Sequence, residues 1–193
     1  LLEMVNQLLD LRKIEETDYK PILSRCDVSQ LVQESCQRFA PAMEVGHIRL
    51  EQHIEPNVVA LIDRNAISKI VNNLMSNALK YARGRCAVTL ARGENLFRIR
   101  VSDDGPGLVP ADMDRIFDAF YQSGNSKGGT GIGLPLARML AVRHGGTITC
   151  TNDVQGGAVF TVEIPLQMGD ALLPAADGAR RPDDGTDHEA APS

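Results

Sequence analysis

The chain has 193 residues, 43% hydrophobic and 23% charged, with a net charge of -5 and a pI near 5.4. That suffices for one domain with its own core and short appendages. The acidic balance gives no reason to expect nucleic acid as the main partner, but it leaves room for a site with local positive charge. Cys26, Cys36, Cys86 and Cys150 form no C-x-x-C pair and have no histidine at ligand spacing, so they read as free thiols. No apolar run approaches the roughly 20 residues that cross a bilayer, and no signal peptide stands at the start. The chain begins at Leu1 inside a helical pattern and without an initiator Met, and is read as a piece of a longer protein.

Leu1, Met4, Leu8 and Leu11 recur at a/d spacing, with Leu2, Val5 and Leu9 widening the stripe. The pattern fits either a helix that pairs with other helices or a core-facing helix of the same domain. Residues 19–27 contain Pro21 and are expected to be a linker. Asp27 or Ser29 can cap a following helix that leads up to Pro41. Ile48, Leu50 and Ile54 alternate as in a half-buried strand, and Val58 to Ile62 suits a buried one. A helix is expected from about Arg64 to Tyr81, followed by strands around 87–90 and 97–101. Residues 123–133 are rich in Gly, Ser and Asn and read as a mobile loop. Leu134 to Val142 is helical and stops at Gly145-Gly146, with His144 a helix-end residue. Strands at 147–151 and 158–164 join through Gly156-Gly157 like a hairpin. Residues 167–193 have few large apolar side chains and read as a disordered tail or linker. The order predicts an α/β fold, a two-layer sandwich with helices on one face of a mixed sheet.

Three segments carry candidate chemistry. Asn73 and Asn77 stand four apart and share a helix face, with Lys80 one turn on. Two amide oxygens so placed can hold Mg²⁺ and leave positions for phosphate and water, although a solvated polar face would read the same way. Asp103-x-Gly105-x-Gly107 follows a strand directly. It suits close approach of a ligand whose amine the aspartate accepts, or a plain turn. Gly128-Gly129-Thr130-Gly131-Ile132-Gly133-Leu134 opens a helix, where free N–H groups and the helix dipole favour anions. It has no Lys-Ser/Thr pair after its last glycine, and its glycine spacing is not that of a dinucleotide fold.

In this order the three segments resemble the N, G1 and G2 boxes of the gyrase, chaperone, histidine-kinase and mismatch-repair ATPase superfamily. Arg115-Ile116-Phe117-Asp118-Ala119-Phe120-Tyr121 between them resembles the F box of histidine kinases. Residues 1–18, with Asn6-Gln7-Leu8-Leu9-Asp10-Leu11-Arg12-Lys13, are similar to the end of a dimerisation and phosphotransfer helix of hybrid two-component sensors. The resemblance implies a Bergerat-type ATP-binding catalytic domain over 28–166, with ATP and Mg²⁺ as cofactors. It implies Asn77 as metal ligand assisted by Asn73, Lys80 on phosphate, and Tyr81 beside the adenine. Asp103 would take the adenine amine, with Gly105 and Gly107 making room for the base. Gly129, Thr130, Gly131, Ile132, Gly133 and Leu134 would form the phosphate loop. Residues 121–128 would be a short lid, with Lys127 as a phosphate contact and Phe117 and Phe120 as its core anchors.

The superfamily's hydrolysing branches resemble one another in a Glu where this chain has Asn73. An amide is no general base, so the site is expected to hold ATP for transfer. His47, His53, His144 and His188 lack an H-box pattern, so the phosphoacceptor is expected upstream. The implied partners are that upstream phosphotransfer domain and a response-regulator receiver domain, in a homodimeric parent whose cytoplasmic part this would be, beneath a bacterial inner-membrane sensor. The competing classes are an ATP-binding module without transfer and a gyrase- or chaperone-type ATPase.

Overall fold

The computed structural model describes residues 2–15, 19–122 and 128–166. In chain order the elements are α1 (Leu2–Glu15), β1 (Ser24–Asp27), α2 (Val28–Val45), β2 (Arg49–Ile54), β3 (Val59–Ile62), α3 (Arg64–Tyr81), β4 (Arg85–Arg92), β5 (Leu96–Asp103), a 3-10 turn at Pro110–Asp112, α4 (Gly133–Arg143), β6 (Thr147–Asn152) and β7 (Ala158–Pro165). The main sheet has the order β2-β4-β5-β7-β6. Only β2 and β4 run parallel, because the α3 crossover separates them, while the remaining neighbours are antiparallel.

Strand alternation decides which face is buried. Val88 pairs with Val101 and Leu90 with Ile99; Ile99 pairs with Val162 and Phe97 with Ile164. All of these lie in one core cluster. The helices α2, α3 and α4 cover that face, contributing Leu31, Ile67, Ile70, Leu74, Leu136 and Leu140. The alternate positions point to the opposite face and include charged pairs, as in Arg98–Glu163, whose Nε–Oε1 distance is 2.7 Å. The expected two-layer α/β sandwich is therefore the observed one.

Two helix starts are fixed by aspartates. Asp27 accepts from the Gln30 N–H at 3.0 Å, and Asp63 accepts from the Ala66 N–H at 3.1 Å, each satisfying a donor that the first helical turn leaves free. The helix expected over 64–81 has those bounds. Two expectations are corrected. The linker over 19–27 ends in a strand, β1, which pairs antiparallel with β3 as a separate two-stranded sheet. Its four residues alternate too weakly to be seen locally, and its partner lies more than 30 residues on. The helix expected to end at Pro41 continues through it to Val45. Pro41 sits on the exposed side, where the carbonyl it leaves unbonded meets water, and fully buried Met43 anchors the last turn. The tail expected over 167–193 lies outside the described residues.

The helix α1 is seated against α4. Leu11 and Ile14 are buried there, Asp10 meets the Lys69 ammonium of α3 at 2.6 Å, and the Arg143 guanidinium donates to the Ile14 carbonyl at 2.7 Å. The stripe at the chain start thus faces the domain with Leu11 and Ile14, while Val5 and Leu9 remain exposed. Among the described residues, no helix is long and apolar enough to cross a membrane.

Candidate functional site: a cleft between two helices and the sheet end

The helix α3 buries Ile70, Val71, Leu74, Met75 and Ala78. With 3.6 residues per turn, that leaves Asn73, Asn77 and Lys80 along a second face. This face forms one wall of a cleft of about 730 Å³, within the range of small-molecule sites. Asn73, Asn77, Lys80 and Tyr81 line it from α3, Asp103 and Gly107 from the end of β5, and Gly129, Thr130, Gly131, Gly133 and Leu134 from the glycine-rich loop and α4. Segments lying between Asn73 and Leu134 in sequence are therefore brought together in one cleft.

Asp103 is the last residue of β5 and points to the buried side, only 7% exposed. Its Oδ1 accepts from the Gly105 N–H at 2.8 Å and the Ala158 N–H at 3.4 Å. Both bonds go to one oxygen, so Oδ2 is the acceptor left for a ligand. Burial pushes the carboxyl pKa up, against the opposing pull of those two N–H groups. Gly105 does not line the cleft; it is the floor beneath it. A Cβ there would lie 2.5 Å from the Tyr81 carbonyl oxygen and 2.7 Å from Asp103 Oδ1. Its smallness lets the turn close on the aspartate. Gly107 has φ +75 and a neighbour, Asn152 Oδ1, 2.9 Å from where its Cβ would be.

Across the cleft, Lys80 Nζ lies 4.7 Å from the Tyr81 ring centroid and 3.0 Å from the position of a Cβ on Gly129. The ammonium thus reaches the glycine-rich loop. That loop runs straight into α4, whose first N–H groups have no partner in their own helix. It supplies donors, a helix-dipole end and a lysine at one place, the combination that receives phosphate. Ile132 stands apart from the expectation: its side chain is fully buried in the core, and only its backbone belongs to the loop. Lys127 and most of the expected lid lie outside the described residues.

The F-box expectation divides. Phe117 packs half-buried against the core, with the Arg138 guanidinium 5.3 Å from its ring. Phe120 is no core anchor; it is 59% exposed. Its backbone is what matters, since the Phe120 N–H donates to the Gly131 carbonyl at 2.9 Å and its φ is +65. Tyr121, expected at the start of the lid, lines the cleft, and its hydroxyl donates to Asp112 at 2.6 Å. Sequence reasoning missed Asn152 and Gln7. Asn152, at the end of β6, accepts from the Leu108 N–H at 2.7 Å and donates to the Leu108 carbonyl at 2.8 Å, clamping the glycine turn. Nothing local marks Asn152, because the residue it clamps lies 44 positions earlier. Gln7 of α1 also lines the cleft.

Residues 62–168 match the family of histidine kinase-, DNA gyrase B-, and HSP90-like ATPases. The chain belongs to that family. It is 32% identical to the sensor histidine kinase TmoS of Ectopseudomonas mendocina over 95% of this chain and 20% of that protein. It is 30% identical to the sensor histidine kinase RppB of Synechocystis over 86% of this chain and 38% of that protein. It superposes on full-length ShkA in complex with AMPPNP with a TM-score of 0.76, at 26% identity over 85% of this chain and 35% of that one. On the catalytic domain of histidine kinase ThkA the TM-score is 0.68, at 25% identity over 75% of this chain and 97% of that one. Within the family, the chain resembles sensor histidine kinases and their catalytic domains. It spans 20% of the length of TmoS and 46% of that of SenX3.

A substitution at Gly133 separates the site from the fold. Alanine is favoured in a first helical turn, but its Cβ would sit 3.0 Å from Asn73 Oδ1. Gly133→Ala is expected to leave the melting temperature of the empty chain within a few degrees and to weaken Mg-nucleotide binding about tenfold, or about 1.4 kcal/mol. Thermal melts beside calorimetric titration check both halves.

Proposed function

We propose that this cleft holds Mg-ATP for transfer of the γ-phosphoryl group to a histidine of a dimerisation and phosphotransfer domain upstream in a longer protein. The supporting observation is the facing of two walls: Asn73, Asn77 and Lys80 on α3 look across at the glycine-rich N-terminus of α4. The residues fit the cofactor pair. Among the described residues no cluster of three acidic, cysteine or histidine side chains stands ready to bind a metal by itself. The neutral amide oxygens of Asn73 and Asn77 suit a hard cation that arrives with phosphate charge already around it. When bound, ATP supplies the phosphoryl group and Mg²⁺ neutralises its charge.

The chain's own residues position and exclude. Lys80 and the N–H groups of Gly129, Gly131 and Gly133 meet phosphate oxygens, placed by backbone so that little reorganisation is needed, while the Ile132 N–H is taken by Thr130 Oγ1 at 3.2 Å. Asp103 accepts the adenine amine through Oδ2, with Tyr81, Gly107 and Leu134 around the base. Asn73 stands where a hydrolytic base would be, and an amide takes no proton at neutral pH, which favours transfer over hydrolysis. His144 is no acceptor: it is buried, its Nδ1 lies 2.7 Å from the Leu140 carbonyl and its Nε2 accepts from the Asp63 N–H at 3.3 Å. In this reading the chain is a cytoplasmic part of a homodimeric, membrane-bound bacterial sensor, and a response-regulator receiver domain takes the phosphoryl group next.

The test supplies the phosphotransfer domain of the same protein separately, with γ-labelled ATP and Mg²⁺. Label is expected on its histidine, with Asn77→Ala and Lys80→Ala each slowing transfer about 100-fold. Turnover of ATP at one rate with or without the acceptor, and no label on it, would overturn the proposal.

A further inference from the structure

The glycine-rich loop is held from outside its own domain layer. Gly128, Gly129 and Gly131 have φ of +84, +129 and +68, a backbone path that no side chain of theirs enforces and that costs entropy to fix. Thr130 is the one residue among them with a side chain that can be tied. Its Oγ1 accepts from the Ile132 N–H at 3.2 Å and donates to Gln7 Oε1 of α1 at 2.9 Å. A hydroxyl has a single proton, so the Gln7 carbonyl selects the rotamer in which the Thr130 lone pair faces Ile132. Gln7 in turn is placed by the seating of α1. Asp10, three residues on, is paired with Lys69 of α3 at 2.6 Å, and Leu11, one turn on, is buried.

We propose that Gln7 is a positioning residue of the nucleotide site: seated on the domain, α1 braces the phosphate loop through Thr130, so that nucleotide binding and α1 docking strengthen each other. The proposal rests on the cleft being the Mg-ATP site. A brace that orders the loop beforehand lowers the entropy lost on binding. Linkage then requires that nucleotide favour the docked helix by the same factor.

Mg-AMPPNP titrated into the full chain tests it. Gln7→Leu keeps the side-chain bulk and removes the acceptor, and should weaken binding about three- to tenfold, the worth of one hydrogen bond. Lys69→Met loosens α1 at a distance from the loop and should produce a loss in the same direction. In a Thr130→Val background both substitutions should have no further effect, which a merely structural role for α1 would not produce. Hydrogen exchange of residues 7–14 should slow on adding Mg-AMPPNP to the unsubstituted chain and not to Gln7→Leu. Unchanged affinity in Gln7→Leu, or full additivity with Thr130→Val, would overturn the brace while leaving the site reading intact. Failure of the unsubstituted chain to bind Mg-AMPPNP would instead remove the site reading.

Discussion

Asp103→Asn is expected to separate stability from nucleotide recognition, leaving the fold intact while ATP affinity falls about 100-fold, or about 2.7 kcal/mol. The amide can keep both backbone bonds, because Gly105 N–H and Ala158 N–H share the single oxygen Oδ1. Its nitrogen must then take the place of Oδ2, facing the cleft. A donor would confront the donor amine of adenine, so two polar groups are left unsatisfied where one bond existed. Guanine carries an acceptor at that place, so the variant should lose far less affinity for GTP than for ATP.

The stability half follows from the direction of the Asp103 pKa, which burial raises in the folded chain. A carboxyl with a raised folded pKa contributes fully below the ordinary carboxylate pKa, and its contribution is lost as pH rises through the folded value. At neutral pH the fold therefore bears an unfavourable buried charge that asparagine lacks. The variant should melt no lower than the parent at pH 7, with any advantage vanishing in acid. ATP affinity of the unsubstituted chain should decline on acidification beginning above the usual carboxylate range, and that decline should be absent in Asp103→Asn. Melts and titrations across pH 4 to 8 check the pair of curves; parallel pH profiles for both chains would count against Asp103 as the adenine acceptor.

The second large effect is at a glycine that reads, in sequence, as half of a hairpin turn. Gly156 and Gly157 both have positive φ, +93 and +98, but their surroundings differ. A Cβ on Gly156 meets nothing within 4 Å, whereas one on Gly157 would lie 1.8 Å from the Asp103 carbonyl oxygen. Gly156→Ala should therefore cost only the conformational penalty, about 1 to 2 kcal/mol. Gly157→Ala must also push the start of β7 off the end of β5, where the Asp103 carboxylate sits, and should cost about 4 kcal/mol. Urea unfolding of the two variants checks the contrast. Equal costs would mean that the contact at Asp103 relaxes freely.

These two cases show what a sequence can and cannot disclose here. The bounds of α3 were legible because its core face repeats at helical period through Ile67, Ile70, Val71 and Leu74, all buried. Asn73, Asn77, Asp103 and the loop glycines stood out through their resemblance to the superfamily's boxes rather than through spacing alone, and the cleft brings them together. What escaped depends on contacts between distant segments. The strand β1 exists through its pairing with β3. Asn152 matters through Leu108, and Gln7 through Thr130, 123 residues away. Phe120 looked like an apolar anchor, yet its side chain faces outward and its backbone N–H holds Gly131. Residue type suggests burial, but only the fold decides it.

The central claim is that one cleft, between the amide face of α3 and the glycine-rich start of α4, receives the nucleotide. Titration of the isotope-labelled chain with Mg-AMPPNP, followed through its amide resonances, tests it most directly. The account predicts saturable binding with the largest shifts at the backbone N–H groups of Gly129, Gly131 and Gly133 and at the side-chain amides of Asn73 and Asn77, together with Gly105 and Gly107 on the adenine side. Saturable binding that leaves these signals in place and shifts others instead, or no binding, would contradict it.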